Sequence, residues 1–204
     1  VMLKKQFYNL PFDKSMWTRG AFGSQFSLTH EEGSQVPRWH IQIEERQKSG
    51  KFPTSDERAG VFAAIEGGPA RYVFRNKKLE IVPVQNWSWL GEESGQLVLV
   101  SSLKLFHLGF DKQQVKAAIY PTRVSASEEV QFPVLGSEHF IYLVSGRVNW
   151  IDRESEEIKA LEKGEMLQIS RPNLKKEYLN LKLKGAEISS TVLWVVLHYL
   201  PNHK

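Results

Sequence analysis

The stretch Trp39-His40-Ile41-Gln42-Ile43-Glu44, with its continuation to Gly68, decides the fold. Apolar and polar residues alternate without a break, the period of a half-buried strand. Trp39, Ile41 and Ile43 fall on one face, and His40, Gln42 and Glu44 on the other. A polar segment follows, Ser49-Gly50-Lys51-Phe52-Pro53-Thr54-Ser55-Asp56. The chain then returns as the almost wholly apolar Val61-Phe62-Ala63-Ala64-Ile65 and stops at Glu66-Gly67-Gly68. That run reads as a buried strand entering a tight turn.

Similar signals continue in both directions. Upstream, Phe7, Leu10 and Phe12 can pack as an arm, in which Pro11 argues against a central strand. Gly20 and Gly23 flank a turn, and a strand is expected from Gln25 to Thr29. Downstream, short strands are expected over Ala70–Phe74, Leu79–Val82, Gln96–Val100 and Leu103–Leu108. Pro83 to Gly95 reads as a loop carrying Trp87 and Trp89, and Pro121 as the end of the strand that begins at Val115. Ser125 to Glu138 is polar and marks a boundary between halves. A second β series follows: His139–Val144, Val148–Ile151, Ile158–Leu161, Met166–Ile169, Tyr178–Leu183 and Ile188–Leu200. Asp152 to Glu157 reads as a charged turn within it. No segment sustains a helical period, so the class is all-β, a sandwich or barrel. Ile65-Glu66-Gly67 and Val144-Ser145-Gly146 each end an apolar strand and are each followed by strand, charged turn and strand. A twofold repeat of a small barrel produces such an echo, as chance similarity between two hairpins also does.

Composition bounds the function. With 41% hydrophobic and 25% charged residues among 204, the chain is an ordinary globular protein of one or two units. The net charge of +4 comes from scattered Lys and Arg residues with no like-charge block, so no nucleic-acid partner is expected. There is no cysteine, hence no disulfide or thiolate metal site. No apolar run reaches the ~18 residues of a membrane helix, and Val1 to Phe12 is not a secretory signal as it stands, so a cytoplasmic location is expected.

The second half, with strand, Ser-Gly, strand, charged turn, strand, Lys-Gly-Glu and strand, resembles a cupin barrel. The first half is similar to the HutD/Ves family of two-cupin proteins. Its carriers are Trp17-Thr18-Arg19-Gly20, the strand from Trp39, Gly50-Lys51-Phe52, and Glu66-Gly67. Thr18, Arg19, Ala21 and Phe22 depart from the family's Gly-rich turn, and His40 replaces its Arg. The resemblance implies a cupin-like double-stranded β-helix with two barrels. These are expected over residues 1–124 and 125–204, the second completed by strands exchanged with the first. It also implies a non-catalytic regulatory protein that binds a small polar or acidic metabolite, without a cofactor. It leaves a homodimer open.

The candidate ligand contacts are Trp17, Arg19, Ser24, His40 and Gln42. Arg19, beside Trp17 and the backbone N–H groups of Gly20 and Ala21, suits a carboxylate or packs as a surface residue on Trp17. Trp39 reads as a core anchor. His40 and Glu44 give an alternative metal pair, but a second His is missing and no metal is the expectation. His107, His139 and His198 read as core or edge histidines. No phosphate loop, nucleophile elbow or zinc-protease motif appears, which points away from the common enzyme classes. The competing readings are a metal-dependent cupin enzyme, an isomerase or dioxygenase, and a structural or dimerising protein with a decayed pocket.

Overall fold

The computed structural model describes residues 4–9, 16–33, 35–52, 55–89, 91, 94–133, 137–151, 158–170, 180–185 and 189–201. Among these there are nineteen strands and no α-helix, and no helix long and apolar enough to cross a membrane. In chain order they are β1 (Lys4–Asn9), β2 (Thr18–Gly20), β3 (Gly23–His30), β4 (Trp39–Arg46), β5 (Gly50–Lys51), β6 (Arg58–Gly67) and β7 (Ala70–Phe74). Then come β8 (Lys77–Ile81), β9 (Asn86–Trp89), β10 (Gly95–Leu99), β11 (Leu103–Asp111), β12 (Val115–Val124) and β13 (Glu129–Pro133). The last are β14 (Glu138–Ser145), β15 (Arg147–Ile151), β16 (Ile158–Glu162), β17 (Glu165–Ser170), β18 (Asn180–Gly185) and β19 (Ser190–Tyr199).

Two units divide the chain. An N-terminal unit holds residues 11–116 and 200–204, and a C-terminal unit holds 1–10 and 117–199. The N-terminal unit is built from a sheet ordered β2-β3-β4-β11-β6-β9 and a smaller one ordered β5-β10-β7-β8. The C-terminal unit has β1-β17-β14-β19-β12 and β13-β18-β15-β16. The orders repeat strand for strand: β9-β6-β11-β4 corresponds to β17-β14-β19-β12, and β5-β10-β7-β8 to β13-β18-β15-β16. Even an irregularity repeats. Ala64 and Glu66 pair with Leu105 and Lys104, leaving Ile65 as the extra residue. Leu143 and Ser145 pair with Val192 and Thr191, leaving Val144. The echo noted between residues 65–67 and 144–146 thus falls at equivalent bulges, the position where an inserted residue bends and twists a strand.

The alternation of β4 sorts its side chains as its sequence requires. Ile41 and Ile43 are fully buried and Trp39 is 2% exposed, all on one face. The opposite face looks onto the lumen of the N-terminal unit, where Phe52, Phe62, Tyr72, Trp87, Trp89 and Leu97 pack together with other apolar residues. The C-terminal lumen is filled by a separate cluster that includes Phe132, Ile141, Leu143, Trp150, Leu167 and Val192.

Three expectations are corrected. The boundary lies between residues 116 and 117, not after 124, and residues 1–10 belong to the C-terminal unit, where β1 pairs with β17. β12 runs through Pro121 to Val124 because it lies at the end of its sheet, where a proline need not donate to a neighbour. Trp87 and Trp89 lie on β9, paired with β6, instead of a loop. Residues 152–157 and Tyr178 and Leu179 lie outside the described residues.

The β6–β7 turn requires glycine at Gly67. Its φ is +88°, and a Cβ there would stand 2.3 Å from the Ser102 carbonyl oxygen. Gly67→Ala is therefore expected to lower stability by about 1–3 kcal/mol. A urea-unfolding midpoint equal to wild type would contradict this.

Candidate functional site

The lumen-facing row of β4 continues past Glu44 to Arg46, and cross-strand pairing completes it. Gln42 stands opposite His107 of β11, and His107 opposite Phe62 of β6. Glu44 lies opposite Gln25 on one side and Leu105 on the other. Residues directly opposite in an antiparallel pair share a face. Register therefore brings Gln42, Glu44, Arg46 and His107 to one wall.

Glu44 is the hub of that wall. Its Oε2 accepts a hydrogen bond from Arg46 Nε at 2.9 Å. Its Oε1 accepts from Gln42 Nε2 and from His107 Nδ1, both at 2.7 Å. An ionised carboxylate only accepts, so His107 carries its proton on Nδ1. The 3.0 Å between Gln42 Nε2 and His107 Nδ1 then follows from two donors sharing one acceptor. Burial acts to raise the Glu44 pKa. The hydrogen bond from His107, the charge of Arg46 and the hydrogen bond from Gln42 outweigh it and hold the group well below the usual carboxylate range. The magnitudes agree: charge-assisted bonds contribute roughly 1.5–3 kcal/mol each, and three of them offset a burial cost of several kcal/mol.

Arg46 is 7% exposed. Its guanidinium lies 4.4 Å from the Phe52 ring centroid and 5.4 Å from that of Phe22. Nε is taken by Glu44, but Nη1 is buried without a hydrogen-bond partner among the described residues. A cavity of about 220 Å³ opens beside these groups. Its walls include Arg46, Gln42, Glu44, His107, Phe52 and Trp89, and the β2–β3 hairpin from Gly20 to Gln25 closes one side. His107 is held by stacking: it lies 4.2 Å from Phe62 at 17°, and Phe62 lies 5.3 Å from Trp87 at 18°.

The structure disperses the expected ligand residues. Gln42 lines the cavity and Ser24 stands at its hairpin wall. His40 shares the Gln42 face but packs below the cavity, edge-on to His107 at 5.4 Å. Gly109 makes room for it, since a Cβ there would lie 2.3 Å from His40 Cε1. Arg19 pairs with Ser24, whose partner is Glu45, so it takes the face opposite Glu44 and is exposed. Trp17 lies 6.0 Å from Phe26 and does not line the cavity. The buried cation is thus Arg46, two residues beyond Glu44. His107, read as a core or edge histidine, is instead part of the wall.

As for the alternative metal pair, His40 packs against Gly109 and His107. No group of three His, Asp or Glu among the described residues is placed to hold an ion. The donor set does not fit a divalent metal.

Burial, with His107 and the charge of Arg58 nearby, pushes the His40 pKa down from 6.5 to about 4. The unfolded residue takes up its proton near pH 6.5, whereas the folded one stays neutral to about pH 4. The stability this group contributes is full above pH 6.5 and is lost as pH falls toward 4, roughly 3 kcal/mol over the window. We expect His40→Gln to flatten the pH dependence of the urea midpoint between pH 7 and 4.5. Parallel curves for variant and wild type would refute it.

No family model matches this chain, and no curated protein matches it in sequence. Solved structures do match. HutD from Pseudomonas fluorescens SBW25 superposes with a TM-score of 0.74 at 14% identity, covering 97% of this chain and 100% of that one. A conserved protein of unknown function from Pseudomonas aeruginosa PAO1 gives 0.79 at 15% identity, with the same coverages. A cupin 2 conserved barrel domain protein from Leptotrichia buccalis gives 0.60 at 9% identity, covering 94% of this chain and 95% of that one. Similarity this low in sequence and this complete in space identifies an architecture: the chain has the HutD-like cupin fold, repeated in two units.

Proposed function

We propose that this chain is a non-catalytic binding protein whose N-terminal lumen takes up a small, polar, carboxylate-bearing metabolite. One observation carries the reading. The Arg46 guanidinium lies over two aromatic rings, is engaged by Glu44 through Nε, and keeps Nη1 buried without a hydrogen-bond partner among the described residues, at the wall of a cavity. A guanidinium presents N–H groups in a planar fork that matches a carboxylate, and its rings and ion pair hold the fork in place before a ligand arrives. Gln42 and Gln25 add polar walls, and Phe52, Phe62 and Trp89 supply apolar ones, the usual composition of a small-molecule site. Glu44 and the Nδ1 edge of His107 are occupied by each other, which favours binding over acid–base turnover. Binding without turnover suits a metabolite sensor, the regulatory role that the HutD/Ves resemblance implies.

The test is a thermal-shift series with formate, acetate, propionate and succinate on wild type and on the paired variant Glu44→Gln/Arg46→Met. Changing both partners avoids stranding one buried charge. At a hundredfold excess over Kd a ligand adds about 2.7 kcal/mol to stability. At least one carboxylate is expected to raise the wild-type Tm by several degrees and to leave the folded variant unmoved. Equal shifts in both proteins, or none in wild type, would argue against the site.

A further inference from the structure

We infer that the ligand of the N-terminal cavity is a zwitterion, a single small amino acid that sets its carboxylate on Arg46 and its ammonium toward Glu44. The inference rests on the carboxylate reading just given and narrows it. Its basis is the charge inventory of the cavity wall. The cavity wall carries one buried guanidinium and, 2.9 Å away, one buried carboxylate, so the pair is neutral before anything binds. A ligand bearing a carboxylate alone adds one uncompensated negative charge among Phe22, Phe52, Phe62 and Trp89. Against such an aromatic wall an unpaired charge is more costly than in water.

The wall has one group that could supply a compensating proton, and its geometry opposes that. His107 already commits Nδ1–H to Glu44. Its Nε2 is buried and has no hydrogen-bond partner among the described residues. A second proton there would create a buried N–H with no acceptor among the described residues, next to the His40 ring. A ligand that brings its own positive charge avoids that cost.

Glu44 retains capacity to receive it. A carboxylate offers about four acceptor positions. Oε1 accepts two bonds and Oε2 one, from the Arg46 Nε, which leaves a position on Oε2, the oxygen nearest the guanidinium. An α-amino acid carries its two charges one carbon apart, a separation that matches a wall whose own charges touch. Size sets the class. At about 220 Å³ the cavity is smaller than the ~300–1,000 Å³ of sites for drug-sized ligands, which favours one small amino acid over a peptide or nucleotide.

The experiment is calorimetry on the full chain at pH 7.5, in two buffers of different ionisation heat. Glycine, L-alanine, L-serine and L-valine are compared with acetate, propionate, 3-hydroxypropionate and 3-methylbutanoate, the same skeletons without the amino group. The expected result is at least one amino acid binding tenfold or more tightly than its partner, with the same heat in both buffers. Glu44→Gln should reduce that ratio to below twofold. Where that variant unfolds, N-acetyl-L-alanine on wild type serves instead, since acetylation removes the positive charge, and its affinity should fall to that of propionate. Carboxylates binding as tightly as the amino acids, or with uptake of about one proton, would overturn the zwitterion and leave the carboxylate site standing. Failure of both series on wild type would overturn both.

Discussion

A carboxylate buried in an aromatic lumen is the constraint on which the N-terminal unit is arranged. Glu44 can remain ionised there only while several donors converge on it, and they come from two strands. Gln42 and Arg46 are supplied by β4 itself, two residues either side, on the same face by the period of a strand. His107 is supplied by β11, and it reaches Glu44 only in the register that sets it opposite Gln42. A slip of one residue would turn the imidazole out of the lumen and bring Phe106 or Leu108 in. The ion pair, the imidazole tautomer and the strand register are thus one condition stated at three levels.

The internal repeat shows what is scaffold and what is site. Counting from the equivalent bulges, His107 corresponds to Trp194 and Phe62 to Ile141. In the C-terminal unit that row is apolar, and Ile141, Leu143 and Val192 fill the space with Trp194 packed against them. The Trp194 indole N–H donates to His139 Nδ1 at 3.3 Å, which satisfies one buried polar group within an otherwise apolar core. The same eight-strand framework is closed by packing in one unit and carries a charged wall in the other. Side-chain identity on a few lumen-facing positions, not architecture, makes the difference.

Much of this was legible in the sequence. The alternation from Trp39 to Glu44 identifies a strand and sorts its faces correctly, because a period of two survives whatever the strand pairs with. The echo at residues 65–67 and 144–146 marks equivalent positions because a bulge followed by a tight turn constrains local residue choice. Cross-strand partnership is different in kind. Nothing near His107 in sequence hints at Gln42 or Glu44, since they are joined by register across a separation of more than sixty residues. Arg19 looks like an anion-binding residue by its Gly-containing turn, yet the two-residue turn at Ala21-Phe22 fixes it on the face away from the lumen. Arg46 was within reach: the alternation that gives Gln42 and Glu44 also gives residue 46. The hydrophobic pattern ends at Ile43, whereas the strand runs on to Arg46.

The choice of a guanidinium has consequences that a metal ion in a similar barrel would not have. A divalent cation needs several carboxylate or imidazole ligands around one point and leaves its open positions to any suitable oxygen. Here the positive charge is tethered to β4, braced by Phe52 and Phe22 and oriented by Glu44, so its remaining N–H groups point in set directions. Such a centre stabilises a ligand by shape and hydrogen-bond geometry but offers no Lewis-acid position. It also carries its counter-ion with it, because removing Glu44 would leave a buried cation and removing Arg46 a buried anion. The pair therefore behaves as a single polar unit in an apolar wall. Whatever enters the cavity meets both signs of charge at once.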